Sequence, residues 1–319
     1  MIQGYAAVDE RLVRVADPLD GAQDVIWLDL ADPTEAEETA VEERLGIDVP
    51  TREEMEEIED SSRLYVDEGS LFMTATLLSA VATGYSERGP VTFILTGRKL
   101  VTLRYHEPSM FRTFPARAEK SGLGCVDGES VLLALLDAIV DRLADILEKV
   151  GHDLELVSRG LFRREITAKG SRDYTHVLRE IGRLGDLASN VLDSLISVER
   201  ILVFIAPANG AVKESKGRLK TLSRDIRFLT EHASFLSQKV TFLLDATLGM
   251  IGIEQNATIK IFSVAAVVFL PPTLIASIYG MNFGVMPELH WPWGYPFAIG
   301  LMIASALVSF WVFKKRGWL

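Results

Sequence analysis

Two long apolar segments without a charged residue lie near the carboxy terminus of the chain. They run from Ile261 to Tyr279 and from Tyr295 to Phe313. Each holds roughly 19 residues, close to the ~20 that a helix needs to cross the hydrocarbon core of a bilayer. Two helices of a buried protein core are the alternative explanation. Because the segments are adjacent and bounded by lysines, the pattern predicts a first transmembrane helix over residues 261–282, an outer loop over 283–294 and a second transmembrane helix over 295–313.

A regular apolar stripe precedes the first of these segments. Its members alternate spacings of three and four residues: Leu219, Leu222, Ile226, Leu229, Ala233, Leu236, Val240, Leu243, Thr247 and Met250. This is the heptad pattern of a helix packed along one face. No proline interrupts the chain between Ala211 and Pro271. The pattern predicts a stalk helix over residues 211–260 that continues into the membrane, with Gly249 and Gly252 as the points of weakness, since each glycine costs about 1 kcal/mol relative to alanine.

The amino-terminal part mixes strand and helix patterns. Residues 24–34 indicate a strand and a turn, with Pro33 at the start of a helix that closes at Gly46. Residues 70–82, 90–97 and 99–107 are rich in β-branched and aromatic residues, and the last two form a predicted hairpin around Gly97 and Arg98. We therefore expect a cytoplasmic α/β domain over residues 1–120 with a largely antiparallel or mixed sheet.

Strand patterns disappear beyond residue 128. Three helices are predicted, from Glu129 to Val150, from Asp153 to about Ile166 and from Arg172 to about Ile205, before a break at residues 206–210. They form a cytoplasmic helical region over residues 121–210. The predicted fold is thus an α+β cytoplasmic domain followed by a long helical stalk and two transmembrane helices.

Basic residues flank the two apolar segments on one side only. Lys260 precedes the first segment, whereas Lys314, Lys315 and Arg316 follow the second. Residues 283–294 contain no Lys or Arg. The positive-inside rule therefore predicts a multi-pass protein with both termini in the cytoplasm, the short loop outside, and residues 314–319 as a basic cytoplasmic tail.

The chemistry of enzymes is missing from this sequence. The chain has a formal net charge of -11 and one cysteine, Cys125. It contains no phosphate-binding P-loop, no dinucleotide fingerprint and no G-x-S-x-G nucleophile motif. We expect no enzymatic activity, no organic cofactor and no nucleic-acid partner. A membrane protein without an energy-coupling motif suits passive transport, because 100 mV of membrane potential drives a divalent cation inward with about 4.6 kcal/mol.

Four short motifs at the carboxy terminus resemble the CorA magnesium transporters. They are "YGMNF" (residues 279–283), "MPEL" (286–289), "W-x-W-G-Y-P" (291–296) and "FKKRGWL" (313–319). The resemblance implies a homopentameric, funnel-shaped channel in the lipid bilayer of a bacterial-type inner (plasma) membrane. It also implies that the first transmembrane helices line a pore that imports Mg²⁺, with cobalt and nickel as other divalent ions, and that intracellular Mg²⁺ bound between cytoplasmic domains closes it.

Gly280, Met281 and Asn282 are the candidate selectivity site. Magnesium demands octahedral oxygen coordination and loses its water reluctantly. A ring of Asn282 carboxamides would offer oxygens to the hydrated ion, and Gly280 would leave its carbonyl unobstructed. Met281 is expected to be a packing or spacing residue rather than a ligand. The alternative is that these residues merely end a helix, since Gly and Asn tolerate left-handed geometry there.

Further candidates lie on both sides of this triplet. A line at three- and four-residue spacing is predicted to face the pore: Asn256, Ile259, Phe262, Ala266, Leu270, Thr273 and Ser277. The alternative for each is packing on a neighbouring helix. Glu288 would attract cations at the outer mouth. Candidate regulatory metal ligands are Asp245, Glu57, Glu59 and Asp60, for which a solvated surface is the competing explanation.

Two other functions stay open from the sequence. A zinc transporter of the same architecture would be expected to vary the Met281 position and the "MPEL" loop, and this chain keeps both. A membrane-anchored cytoplasmic scaffold would use its spans only as a tether, so cation uptake would not depend on Asn282.

Overall fold

The chain folds into two compact units, Met1–Leu244 and Asp245–Leu319. They are seen in a computed structural model that describes residues 1–19, 24–80, 86–162, 174–208, 213–282, 284 and 286–316. The side chains of residues 60, 80, 86, 207, 208, 213–215, 288 and 289 lie outside this description.

The first unit begins with a mixture of strands and short helices. The strands are β1 (Ile2–Val8), β2 (Arg11–Val15), β3 (Val25–Ala31), β4 (Leu64–Asp67), β5 (Ser70–Ala80), β6 (Ser86–Thr96) and β7 (Lys99–Arg104). The helices among them and directly after them are α1 (Glu35–Leu45), α2 (Arg52–Glu56), α3 (Asp60–Arg63) and α4 (Ser109–Lys120). Helix α1 follows Pro33 and ends at Gly46, whose φ of 66° is left-handed, as the sequence predicted.

The seven strands form one mixed sheet in the order β2-β1-β3-β7-β6-β5-β4. Strands β3 and β7 run parallel, and the other neighbours are antiparallel. The predicted hairpin is confirmed, because β6 and β7 pair from Val91 opposite Arg104 to Thr96 opposite Lys99 around the Gly97 turn. The amino-terminal hairpin of β1 and β2 was not predicted from the sequence.

Side chains alternate across the central strands and build a core on each face of the sheet. Leu28 and Leu30 of β3 join a buried cluster with Val41 of α1 and Met55 of α2. On the other face Trp27 lies edge-on to Phe114 of α4, with ring centroids 5.8 Å apart. The sheet is therefore enclosed by helices on both sides.

A buried ion pair sits within this second face, a feature that the sequence analysis missed. The Arg104 guanidinium donates to both carboxylate oxygens of Asp29, at 3.2 Å through Nε and 2.9 Å through Nη2. Thr102 Oγ1 donates to Asp29 Oδ1 at 2.8 Å. Its sequence signal was an aspartate in the middle of the apolar strand "VIWLDLA". Because both charges are desolvated, we expect the pair to add little net stability, whereas removal of either partner would leave a buried charge without its counter-ion.

Three long helices follow, α5 (Gly128–Phe162), α6 (Tyr174–Ala208) and α7 (Lys213–Tyr279). Two separate helices were predicted where α5 runs without a break, and that prediction was wrong. Helix α5 continues through Gly151, whose missing Cβ would lie 3.6 Å from Leu236 of α7, an ordinary van der Waals contact. The predicted ends near Ile166 and Arg172 fall outside the described residues.

The apolar stripe of the stalk is confirmed as a packed face. Ile226, Ala233, Leu243 and Thr247 are fully buried, and Leu236 is 2% exposed. Helix α6 approaches this face closely, since a Cβ at Gly185 would lie 3.0 Å from Val240 Cγ1. The face is thus covered by helices of the same chain.

The second unit consists of the end of α7, a short 3-10 helix (Pro287–His290) and α8 (Gly294–Lys315). Helix α7 passes through Gly249 and Gly252 without a break. It ends at Tyr279, three residues before the predicted end of the first span, while α8 extends the second span by one residue before and two after residues 295–313.

Candidate functional site

The Gly280–Asn282 triplet follows directly on the last turn of α7. The Gly280 amide donates to Ala276 O at 3.0 Å and the Met281 amide to Ile278 O at 3.3 Å, which closes the helix. Neither Gly280 nor Asn282 has a positive φ. The requirement for glycine is therefore not the left-handed conformation that the sequence suggested. Instead, a Cβ at position 280 would lie 3.2 Å from the carbonyl oxygen of Ala276, tighter than ordinary van der Waals contact.

Asn282 presents its carboxamide on the surface of the second unit. The residue is exposed, and no hydrogen bond joins its side chain to another of the residues that the structure describes. Met281 beside it is 49% exposed. An amide oxygen without a partner in the chain accepts hydrogen bonds from water, including water held by a cation. The site is thus an uncharged acceptor at the end of a helix, while Phe283, the next residue of the motif, lies outside the described residues.

The seven predicted pore residues form one exposed line on α7. All seven are exposed in the single chain, and Ile259, Phe262 and Leu270 are 61%, 71% and 64% exposed. At 100° per residue they fall within about 120° of the helix circumference. The line leads from Asn256 to Ser277, one turn before Gly280. Its two ends are polar, its four middle members (Ile259, Phe262, Ala266 and Leu270) are apolar, and it carries no charge.

Two prolines occur within this part of α7 without ending the helix. Pro271 and Pro272 lack amide hydrogens, so the carbonyls of Val267 and Val268 have no helical donor. Thr273 Oγ1 donates to Phe269 O at 2.7 Å, which leaves the lone pairs of its hydroxyl oxygen free to accept from water. Sequence analysis predicted Thr273 to face the pore, and the "PPT" sequence is the signal for the two freed carbonyls.

The acidic candidates are not members of this line. Asp245 is exposed on α7 in the second unit, whereas Glu57 and Glu59 are exposed between α2 and α3 in the first. The side chains of Asp60 and Glu288 lie outside the description. Among the described residues no three His, Cys, Asp or Glu side chains are grouped as metal ligands.

The two apolar segments, in the last part of α7 and in α8, are largely exposed. Only 6% of the most apolar window of each is buried, so they are not the core of a soluble protein. Trp293 and Tyr295 are 67% and 78% exposed at one end of α8. At its other end the Lys315 ammonium lies 5.1 Å from the centre of the Trp311 ring. Such aromatic and basic residues mark the two interfaces of a bilayer.

Comparison with known proteins decides the family. The sequence profile described as "CorA-like Mg2+ transporter protein" matches residues 22–315. The chain belongs to this family. The magnesium transport protein CorA of Haemophilus influenzae (strain ATCC 51907) is 37% identical over 319 residues, and that of Pasteurella multocida is 37% identical over 320, each aligned over 100% of both chains.

The fold of the family agrees with the fold of this chain. The complete structure of the CorA magnesium transporter from Methanocaldococcus jannaschii has a TM-score of 0.76, with 19% identity over 100% of this chain and 98% of the other. At this level of identity the likeness concerns the fold alone. Family membership and the two exposed apolar helices identify the chain as a membrane protein of a CorA-type transporter family, rather than of an enzyme family.

Proposed function

We propose that this chain imports Mg²⁺ passively through a pore formed by five copies of α7. The observation that carries the proposal is the exposed, uncharged line on α7 that ends at the unpartnered Asn282 carboxamide. A single helix cannot enclose a pathway, so the polar members of the line have a function only when copies face one another across an axis. The family match supports magnesium as the ion.

Selection at Asn282 follows from the chemistry of the hydrated ion. Mg²⁺ keeps its inner water shell, and those waters donate hydrogen bonds outward. Five carboxamide oxygens accept such bonds without stripping the ion, and Thr273 and Ser277 continue the row of acceptors. A ring of carboxylates would hold a divalent cation too strongly for it to move on. Co²⁺ and Ni²⁺, which carry the same charge, are proposed to share the path.

The membrane potential supplies the driving force. A divalent cation gains about 4.6 kcal/mol per 100 mV on moving inward, so no nucleotide is needed. We propose that both termini face the cytoplasm and that Glu288 attracts cations at the outer mouth. Phe262 and Leu270 are the proposed dry constrictions that close the path when the helices approach.

Closure is proposed to depend on cytoplasmic Mg²⁺. Among the described residues no three His, Cys, Asp or Glu side chains are grouped as metal ligands, and we propose that a regulatory ion bridges acids of different copies, with Asp245, Glu57, Glu59 and Asp60 as candidates. The net charge of -11 is consistent with copies that repel one another until cations bind between them.

The decisive experiment measures Mg²⁺ flux into proteoliposomes under an inside-negative potential. Asn282→Ala removes the acceptor and is expected to abolish selective flux, whereas Asn282→Asp is expected to bind Mg²⁺ more tightly and conduct it more slowly. Thermal unfolding and size in detergent must match wild type in both variants. Equal Mg²⁺ flux in wild type and Asn282→Ala would refute the selectivity assignment.

The same preparation separates the two competing functions. Zinc flux, driven by a pH gradient and without Mg²⁺ flux, would identify a zinc transporter of the same architecture. Absence of any cation flux in wild type would favour a membrane-anchored scaffold.

A further inference from the structure

An open cavity of about 500 Å³ lies in the first unit, and none of the residues proposed for ion transport lines it. Helices α5 and α6, the end of β5 and the start of α4 line it. Its volume falls within the range of about 300–1,000 Å³ that small-molecule sites occupy. Nothing in the proposed pathway for Mg²⁺ uses this space.

The floor of the cavity is apolar. Six lining side chains come from four different elements: Leu77, Met110, Ile139, Leu143, Ile146 and Leu187. Leu143 is 3% and Leu77 2% exposed, so this floor is continuous with the core beneath it. It offers van der Waals contact to a flat aromatic or branched aliphatic group.

Basic side chains outnumber acidic ones among the residues that line the rim. Arg142, Lys149 and Arg183 line the cavity together with Asp145 and Asp186. Arg142 Nη1 lies 3.7 Å from Asp145 Oδ2, a loose contact between exposed side chains. Arg183 donates to Glu180, and this hydrogen bond raises the pKa of Arg183. Lys149 makes no ion pair within 4.0 Å of any other residue that the structure describes, which is unexpected on a chain of net charge -11.

The amino-terminal end of α4 contributes further positive potential at the cavity. Pro108, Ser109 and Met110 line the cavity, and no side chain caps this end of the helix. The positive end of the α4 dipole therefore lies at the cavity wall together with the three basic side chains.

We propose that the cavity binds a small amphipathic organic anion. Its aromatic or aliphatic body lies on the apolar floor, and its phosphate or carboxylate group lies beside Lys149 and Arg142. The site is separate from the proposed magnesium pathway and does not depend on it. Charge complementarity selects the anion, since a cation would meet Lys149 and an uncharged ligand would leave it unpaired.

Ligand-observed ¹⁹F NMR with the full chain in lipid nanodiscs tests the proposal. The probes are 4-fluorophenyl phosphate, 4-fluorobenzoate and the neutral 4-fluorobenzyl alcohol, each corrected for empty nanodiscs. One or both anions are expected to bind saturably, at least about tenfold more tightly than the alcohol, because a charge-assisted hydrogen bond is formed. The phosphate and the benzoate distinguish the two head groups. Inorganic phosphate, which lacks the body, is expected to compete only weakly.

Four variants decide between this cavity and binding elsewhere. Lys149→Gln and Arg142→Gln are each expected to weaken binding of the anionic probes several-fold and to leave binding of the alcohol unchanged. Leu187→Trp fills the cavity and is expected to abolish binding of both. Lys220→Gln, which removes an exposed lysine of α7 outside the cavity, is expected to change nothing.

Three results would overturn the proposal. They are no saturable binding by wild type at millimolar probe, equal anion binding by wild type and both rim variants, and undiminished binding by Leu187→Trp. If thermal unfolding shows that Leu187→Trp is misfolded, the two rim variants decide alone.

Discussion

At the scale of single residues, the Gly280–Asn282 triplet depends on the absence of a Cβ atom at position 280. Gly280 adopts an ordinary negative φ, so its value lies in the missing Cβ and not in conformational freedom. The closest atom to that position is the carbonyl oxygen of Ala276, which also accepts the Gly280 amide. A larger residue would push the chain away from the last turn of α7 and displace Asn282.

Replacement of this glycine is the matching test. Gly280→Ala places Cβ 3.2 Å from Ala276 O and is expected to lower Mg²⁺ flux several-fold through displacement of the Asn282 carboxamide. Gly284→Ala is the matched control, because nothing lies within 4 Å of a Cβ there. Flux is measured in proteoliposomes for both variants. Equal loss in the two would show that the contact with Ala276 has no special role.

At the scale of elements, the stalk depends on the close approach of α6 to α7. Gly185 leaves room for Val240, whose methyl group lies only 3.0 Å from the position of an added Cβ. Valine is stiff about χ1 and cannot turn aside without cost. Gly182, three residues earlier on the same helix, has no atom within 4 Å. Gly185 is therefore required for close packing of α6 on α7, whereas Gly182 only lowers the helix propensity of α6.

Alanine at these two positions is expected to shift stability in opposite directions. Gly182→Ala gains helix propensity of about 1 kcal/mol, equivalent to a rise of about 2–4 °C in Tm. Gly185→Ala overpacks the α6–α7 contact at a cost of about 1–3 kcal/mol, which exceeds that gain and lowers Tm. Thermal unfolding of the full chain measures both. A double variant with Val240→Ala should recover part of the loss, and failure to do so would place the strain elsewhere.

At the scale of the whole molecule, the proposed assembly would cover surface that a single chain leaves exposed. Both apolar helices of the second unit are almost fully exposed. In the proposed assembly, some of their faces contact lipid and others contact neighbouring copies. The acidic candidates give no metal centre among the described residues of one chain. Closure by Mg²⁺ is therefore proposed as a property of the assembly.

Limited proteolysis of the full chain in nanodiscs tests that proposal. Millimolar Mg²⁺ is expected to slow cleavage of cytoplasmic segments in wild type, and less so in Asp245→Asn, which removes one proposed ligand. Glu231→Gln, an exposed acid on the same helix, is the matched control and should behave as wild type. Native mass spectrometry should give five copies. Indifference of wild type to Mg²⁺, or a different copy number, would count against gating between subunits.

The sequence alone determined the elements whose signal is local. Charge-free length indicated both membrane helices, and the spacing of Leu219 to Met250 indicated the packed face of the stalk, because these patterns depend only on helical periodicity. The Gly280–Asn282 triplet and the motifs beside it were sufficient to recognise the family. The line from Asn256 to Ser277 was also predicted, since residues on one helix face need no tertiary information.

Only the tertiary structure decided features that join distant parts of the chain. The Asp29–Arg104 pair and the β1–β2 hairpin depend on strand order, which local patterns do not specify. Leu236 of α7 packs beside Gly151 of the unbroken helix α5, a contact that local patterns do not specify. The requirement for glycine at position 280 likewise follows from the distance between an added Cβ and Ala276 O, which the sequence does not give. Periodicity determines which face of an element is buried, whereas the partner that buries it is set by packing in three dimensions.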